Sequence, residues 1–270
     1  MRSTTDTRRS TVRRGAAGLA LAAALAATVT GTASADPAAD PAALSAASSA
    51  ATDAPAPPPY SSDFSDCPAL PAGVDATLWK CEVLTATGSL TLGSRTIPEL
   101  APMTLTHAEG PLPDGADGQV WGALRSAPDR VPGGLTGIPG ADRDPLLRLS
   151  LRPEYGGRSD FFSVGDRLGL FTLRFRALSP LLPHGCVIGG GDTPVELRLV
   201  RSGGSRVVSQ DPPVIAFDAY DTAFTVPGAT GCGPLDRLVD NRLGLPAATG
   251  NAMRLSAYYT FRTYDQLPPR

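Results

Sequence analysis

The segment from Val164 to Arg201 constrains this chain most, because side-chain character alternates along it in two runs. Between Leu168 and Leu178, Phe171, Leu173, Phe175 and Ala177 fall on one face, and Thr172, Arg174 and Arg176 on the other. Between Val195 and Val200, Val195, Leu197 and Leu199 alternate with Glu196 and Arg198. A period of two belongs to strands with one buried and one wet face. A wet face implies antiparallel pairing, since parallel sheets are covered on both sides. The bend from Pro180 to Gly191 joins the two runs and carries Cys186. Beyond them, Ser202-Gly203-Gly204-Ser205 predicts a tight hairpin turn into Arg206 to Gln210, because a Gly-Gly pair supplies positive φ angles.

Other segments are suited to pair with these. Trp79 to Thr87 and Ser89 to Leu92 are predicted as strands about Gly88, with Met103 to Ala108 and Gln119 to Arg125 as a pair about a Gly/Pro turn cluster. Leu147 to Arg152 alternates, and Val214 to Val226 holds one long or two short strands. Met253, Leu255, Ala257, Tyr259 and Phe261 make the inner face of a last strand. One helix is predicted near 234–243. Pro234 opens it, Asp236 complements its positive start, Leu235, Leu238 and Val239 share a face, Arg242 lies in its last turn, and Gly244 with Pro246 closes it. The fold class is therefore mainly β, an antiparallel β-sandwich or barrel with one short helix.

The N-terminus is predicted to be a secretory signal peptide, residues 1–35. Arg2, Arg8, Arg9, Arg13 and Arg14 precede an apolar run from Gly15 to Thr30, and Ala33-Ser34-Ala35 offers a small-residue cleavage site. Neither arginine pair has the hydrophobic context of the twin-arginine route, so general export is favoured. No cysteine lies at the cleavage site to carry a lipid anchor, and no later stretch is apolar and long enough to span a membrane. Residues 36–66 are rich in Ala, Pro and Ser and lack the large apolar side chains that offset ordering entropy, which predicts a disordered spacer. Residues 67–270 are expected to form one β-rich domain. Losing residues 1–35 takes the balance from 24 basic and 26 acidic residues to 19 and 25, a net charge of −6. That disfavours a nucleic-acid binder.

Four cysteines in an exported chain predict two disulfides. Of three possible pairings, Cys67–Cys81 and Cys186–Cys232 close the shortest loops and keep the halves separate. Cys232, before a helix N-terminus in Gly231-Cys232-Gly233-Pro234, has the setting of a reactive thiol. Leu235 stands where a second redox cysteine would be needed, so a structural bridge is preferred.

Chemistry is sparse. His107 shares a strand face with Met103 and Leu105 and reads as a core histidine; His184 lies in a bend. No zinc spacing, nucleophile elbow or EF-hand is present, and Gly189-Gly190-Gly191-Asp192 lacks the lysine and helix of a phosphate loop. No catalytic residue, cofactor or metal is assigned. The most informative pattern is arginine on the polar faces of strands: Arg148, Arg152, Arg174, Arg176, Arg198, Arg254 and Arg262. On neighbouring strands they would form a cationic patch for an anionic envelope polymer or lipid headgroup, with Arg148, Arg174, Arg176 and Arg198 as candidate ligand residues. Solvated charge, with arginine in place of lysine throughout except at Lys80, is the plainer explanation. Tyr155, Tyr258, Tyr259 and Tyr264 could add a stacking platform.

Cys186-Val187-Ile188-Gly189, Ser209-Gln210-Asp211-Pro212-Pro213-Val214 and Gly231-Cys232-Gly233-Pro234-Leu235 resemble a group of secreted actinobacterial proteins of unknown function. Ile138-Pro139-Gly140-Ala141-Asp142-Arg143 and Gly244-Leu245-Pro246 are similar to that group as well, and the resemblance runs from about Cys67 to the end. It implies export, a β-rich fold and bridged cysteines, and transfers no catalytic residue. The leading expectation is a secreted, non-catalytic binding or structural protein of the cell envelope or extracellular space. Alternatives are an extracellular hydrolase using acidic residues among Asp142, Asp144, Asp160 and Asp166, and a lipid or small-molecule carrier.

Overall fold

A computed structural model describes residues 59–161 and 163–268. The predicted signal peptide and most of the predicted spacer lie outside the described residues. The chain runs β1 (Lys80–Leu92), β2 (Arg95–Pro111), β3 (Asp117–Ser126), β4 (Asp129–Arg130), β5 (Ser150–Asp160), β6 (Arg167–Leu178), β7 (Val187–Ile188), β8 (Val195–Gln210), β9 (Pro213–Asp221), β10 (Ala229–Thr230), α1 (Asp236–Leu243) and β11 (Ala252–Thr263). All pairings are antiparallel, in the order β10-β7-β6-β8-β9-β11-β1-β2-β3, with β5 on the other side of β6. This is one curled sheet, a half-barrel, rather than two stacked sheets. Its edges meet through side chains. Trp121 of β3 stacks on Tyr155 of β5 at 3.5 Å, Ser126 Oγ donates to the Pro153 carbonyl, and the Phe161 amide donates to Gln119 Oε1.

The alternation of β6 and β8 translates directly into this curl. Phe171, Leu173, Phe175, Val195, Leu197 and Leu199 are buried inside, against Met103, Leu105, Met253, Leu255 and Ala257 from the opposite wall. Burying one such side chain contributes about 1.5–3 kcal/mol, so these two strands anchor the core.

Several predicted boundaries shift. β8 does not turn at Gly203-Gly204 but continues to Gln210. Ser202 pairs Asp218 and Arg206 pairs Ala216, so three residues of β8 bulge opposite Phe217. Gly203 takes a positive φ and Gly204 does not, so the type I′ turn, which needs both, is not formed. The reversal comes at Asp211-Pro212. β1 runs unbroken through Gly88, whose missing Cβ would lie 1.9 Å from the Arg254 carbonyl oxygen. Residues 59–66, within the predicted spacer, lie against the sheet. The Ser61 amide donates to Thr85 Oγ1, Tyr60 packs on Tyr258, and Asp66 takes both Arg125 donors.

The helix follows a 3-10 turn at Gly233–Leu235 and ends at Gly244 in the left-handed region, as the sequence predicts. Its buried stripe is Val239, Arg242 and Leu243, while Leu238 is exposed. Arg242 is not a solvated last-turn cation. Its guanidinium donates to the Gly134 and Pro132 carbonyls and holds the Gly/Pro loop beneath the helix. Both predicted disulfides are formed, Cys67–Cys81 and Cys186–Cys232, and no described cysteine is free.

Candidate functional site

The arginine face forms because β5, β6 and β8 are neighbours in register. Arg152 faces Arg176, Glu154 faces Arg174, Thr172 faces Glu196, and Leu170 faces Arg198. Arginines opposite one another would repel, and Glu154 resolves this by accepting from three of them. Arg176 grips it in a bidentate fork, Nε to Oε1 at 2.6 Å and Nη2 to Oε2 at 3.0 Å. Arg174 Nε reaches Oε2 at 3.0 Å, and Arg152 Nη2 reaches Oε1 at 3.2 Å. Burial raises the Glu154 carboxyl, but Arg176 first, then Arg152 and Arg174, hold it below the ordinary glutamate range. Next along the face, a bulge places Gly156 to Arg158 opposite Thr172 and swings Arg158 onto Glu196, which Arg198 also approaches at 3.6 Å. Five guanidinium groups thus face Glu154 and Glu196, and the exposed Asp160, in the same row as Leu170 and Arg198, is a third carboxylate on this face, which leaves a local surplus of two positive charges.

Arg148 lies beside this face and not in it. With Arg130, Ser150, Leu178, Pro183 and His184 it lines a recess of about 490 Å³. Arg176 Nη1 donates to the His184 carbonyl at the recess wall. Neither Arg130 nor Arg148 forms an ion pair among the described residues. Of the four candidate ligand residues, Arg174, Arg176 and Arg198 are brought together and Arg148 adjoins them. Arg254 and Arg262 are elsewhere on β11, over the rings of Tyr220 and Phe64. The four tyrosines make no platform: Tyr155 stacks on Trp121, Tyr258 packs at a tilt against Tyr60, Tyr259 donates to Glu82 and Tyr264 to the Pro68 carbonyl. Asp142 and Asp144 accept from backbone amides of their own loop, Gly133, Leu146 and Leu147, and so have structural roles.

Glu154→Gln should reveal how much Glu154 contributes. The flanking arginines are partly exposed, so screening limits the expected loss to about 1 kcal/mol at pH 7. Because its folded value is depressed, its stabilisation is complete above the unfolded value near 4.5 and disappears as acid titrates below it. Urea denaturation should therefore separate variant from wild type at pH 7, with the gap narrowing as the pH falls below 4.5; equal curves at pH 7 would contradict this.

A second site, unread in the sequence, lies inside one end of the half-barrel. Glu82 of β1 pairs directly with His107 of β2, and both are buried. His107 Nε2 lies 3.1 Å from Glu82 Oε2, off the line of a hydrogen bond, and neither ring nitrogen has a hydrogen-bond partner among the described residues. The Tyr259 hydroxyl donates to Glu82 Oε1 at 2.5 Å, and a carboxylate oxygen of Glu109 lies within 4.8 Å of those of Glu82 and of the His107 ring. Burial raises the Glu82 carboxyl, but the closeness and charge of His107, then the Tyr259 hydroxyl, more than offset it. Glu109 is pushed up, first by burial and then by the Glu82 charge. Burial, the Glu82 charge and the hydrogen bond it gives Glu82 push the Tyr259 hydroxyl upward, so it serves as a donor. Phe161 lies 5.0 Å from the imidazole, and a recess of about 500 Å³ lined by Gln119, Trp121, Tyr155, Arg158 and Leu170 leads to His107. His107 is thus a core histidine as predicted, but one facing a glutamate that only the strand register reveals.

Comparison with protein families, with curated proteins and with solved structures finds no match to this chain. Two disulfides suit an oxidising, non-cytoplasmic setting. Among the described residues no helix is long and apolar enough to cross a membrane.

Proposed function

We propose that this is a secreted, non-catalytic binding protein of the cell envelope, which holds an anionic polymer or lipid headgroup on the face of β5, β6 and β8. The observation that carries this reading is the surplus of positive charge on one exposed sheet surface of a chain that is acidic overall. Glu154 and Glu196 hold the guanidinium groups in fixed positions, which lowers the entropy lost when a phosphate or carboxylate replaces water. The Arg130 and Arg148 recess extends the same surface.

Co-sedimentation of the purified protein with cell walls bearing anionic polymer, and separately with vesicles containing anionic lipid, tests the reading. Pelleting at low salt and release at high salt are expected, with the pelleting material identifying the partner class. Arg174→Gln with Arg176→Gln should weaken it about 30-fold, at about 1 kcal/mol for each arginine. Absence of pelleting on both materials, or pelleting that the double variant leaves unchanged, would remove the proposal.

A further inference from the structure

Glu82, His107 and Glu109 have the chemistry of a cation site, with none of its ligands in the arginine face, whose Arg158 lines the recess beside it. One ligand atom from each can be chosen so that all lie within 4.8 Å of one another. Ligands about 2.0–2.1 Å from a tetrahedral ion stand about 3.3 Å apart, close to the 3.1 Å between His107 Nε2 and Glu82 Oε2. Three further observations point to a ligand. His107 is 6% exposed, its Nδ1 has no hydrogen-bond partner among the described residues, and its Nε2 has only the off-line contact with Glu82. The Gln119 amide nitrogen, lining the same recess, is buried and equally unpartnered. Buried polar groups normally find partners, so two on one recess mark a place built to receive something. Finally, the Tyr259 hydroxyl bonds the Glu82 oxygen that is not turned to His107, the outer contact by which a ligating carboxylate is oriented.

We propose that Glu82, His107 and Glu109 bind one divalent transition-metal ion of the zinc type at the end of the half-barrel, with Tyr259 as a positioning residue. One imidazole and two carboxylates suit such an ion, and their combined charge would neutralise it in a buried setting. Calcium, which takes six to eight oxygen ligands, is the wrong size and chemistry for this set. The recess beside His107 leaves a route of entry and room for water as a further ligand.

The full chain, purified without a histidine tag, would be loaded with Zn²⁺, passed through gel filtration and assayed for metal by mass spectrometry. Titration with Co²⁺ would follow its visible absorption. One zinc per chain and the intense absorption of four-coordinate cobalt are expected, with no such retention of Ca²⁺. His107→Gln and Glu109→Gln should each weaken binding at least 100-fold, and Tyr259→Phe 10- to 100-fold, as for other outer contacts. Glu109 is only half-buried, so its variant remains informative if His107→Gln misfolds. No stoichiometric zinc on the wild type, or affinity that survives both ligand variants and so places the ion on exposed His184 or elsewhere, would overturn the assignment.

Discussion

Replacing Cys186 and Cys232 together with alanine is expected to lower stability by about 4 kcal/mol. The bridge closes 46 residues, and in the chain-entropy account a loop of that size restricts the unfolded chain by about that amount. Both sulfurs are fully buried, and the bridge joins two segments that otherwise share little. On one side, the Cys186 carbonyl accepts from the Ala177 amide at the end of β6. On the other, the Cys232 amide donates to Asp236 Oδ1 at the start of α1. Between them the two-residue ladder of β7 and β10 pairs the strands. For a domain of this size the loss corresponds to a melting point about 8–16 °C lower. The functional consequence runs through His184, two residues before Cys186, whose carbonyl holds the Arg176 guanidinium. The variant should also bind anionic surfaces less well. Urea denaturation against oxidised wild type measures the effect, and a loss under about 1 kcal/mol would mean that the bend is ordered without its bridge. The 14-residue loop of Cys67–Cys81 predicts a smaller loss, about 3 kcal/mol.

The sequence is most legible where one face of a strand is wet. β6, the first half of β8 and β11 face solvent on one side, and their alternation announces them. It is silent where that condition fails. β2 begins at Arg95, hidden by Pro98 and Pro102, but β3 pairs with β2 only from Met103 onward, so neither proline denies a bond on that side. β5 continues through Pro153 and the Gly156-Gly157 bulge because an edge strand tolerates both. The alternation ends at Arg152 in the sequence, which hid Glu154, the acid that organises three arginines already identified. Glu82 was hidden for another reason. β1 is buried on both faces along Cys81 to Val83, so a glutamate there interrupts no alternation. Nothing local couples residue 82 to residue 107; the β1–β2 register does so.

Trp79→Ala is expected to cost about 4–6 kcal/mol, about 3–5 for removing a buried indole and about 1 for its hydrogen bond. Trp79 is fully buried, and its Nε1 donates to the Pro111 carbonyl at 2.8 Å. The ring fills the space left by glycines. A Cβ on Gly110 would lie 2.6 Å from the indole, and one on Gly118 3.1 Å from its far edge, so the β2–β3 hairpin closes onto this residue. Its carbonyl meanwhile accepts from the Tyr264 amide after β11. Trp79 therefore ties together the ends of β1, β2 and β11, the same ends that present Glu82, Glu109 and Tyr259. Removing the ring should lower the melting point and loosen the cation site, while the ion pairs of Arg152, Arg174 and Arg176 with Glu154 are preserved. Trp79→Phe, which keeps most of the ring but not the donor, should recover most of the loss. Equilibrium denaturation with zinc titration and vesicle pelleting on the same variant separates these effects. A loss below about 2 kcal/mol, or equal weakening at both surfaces, would show that Trp79 does not brace this end of the barrel in particular.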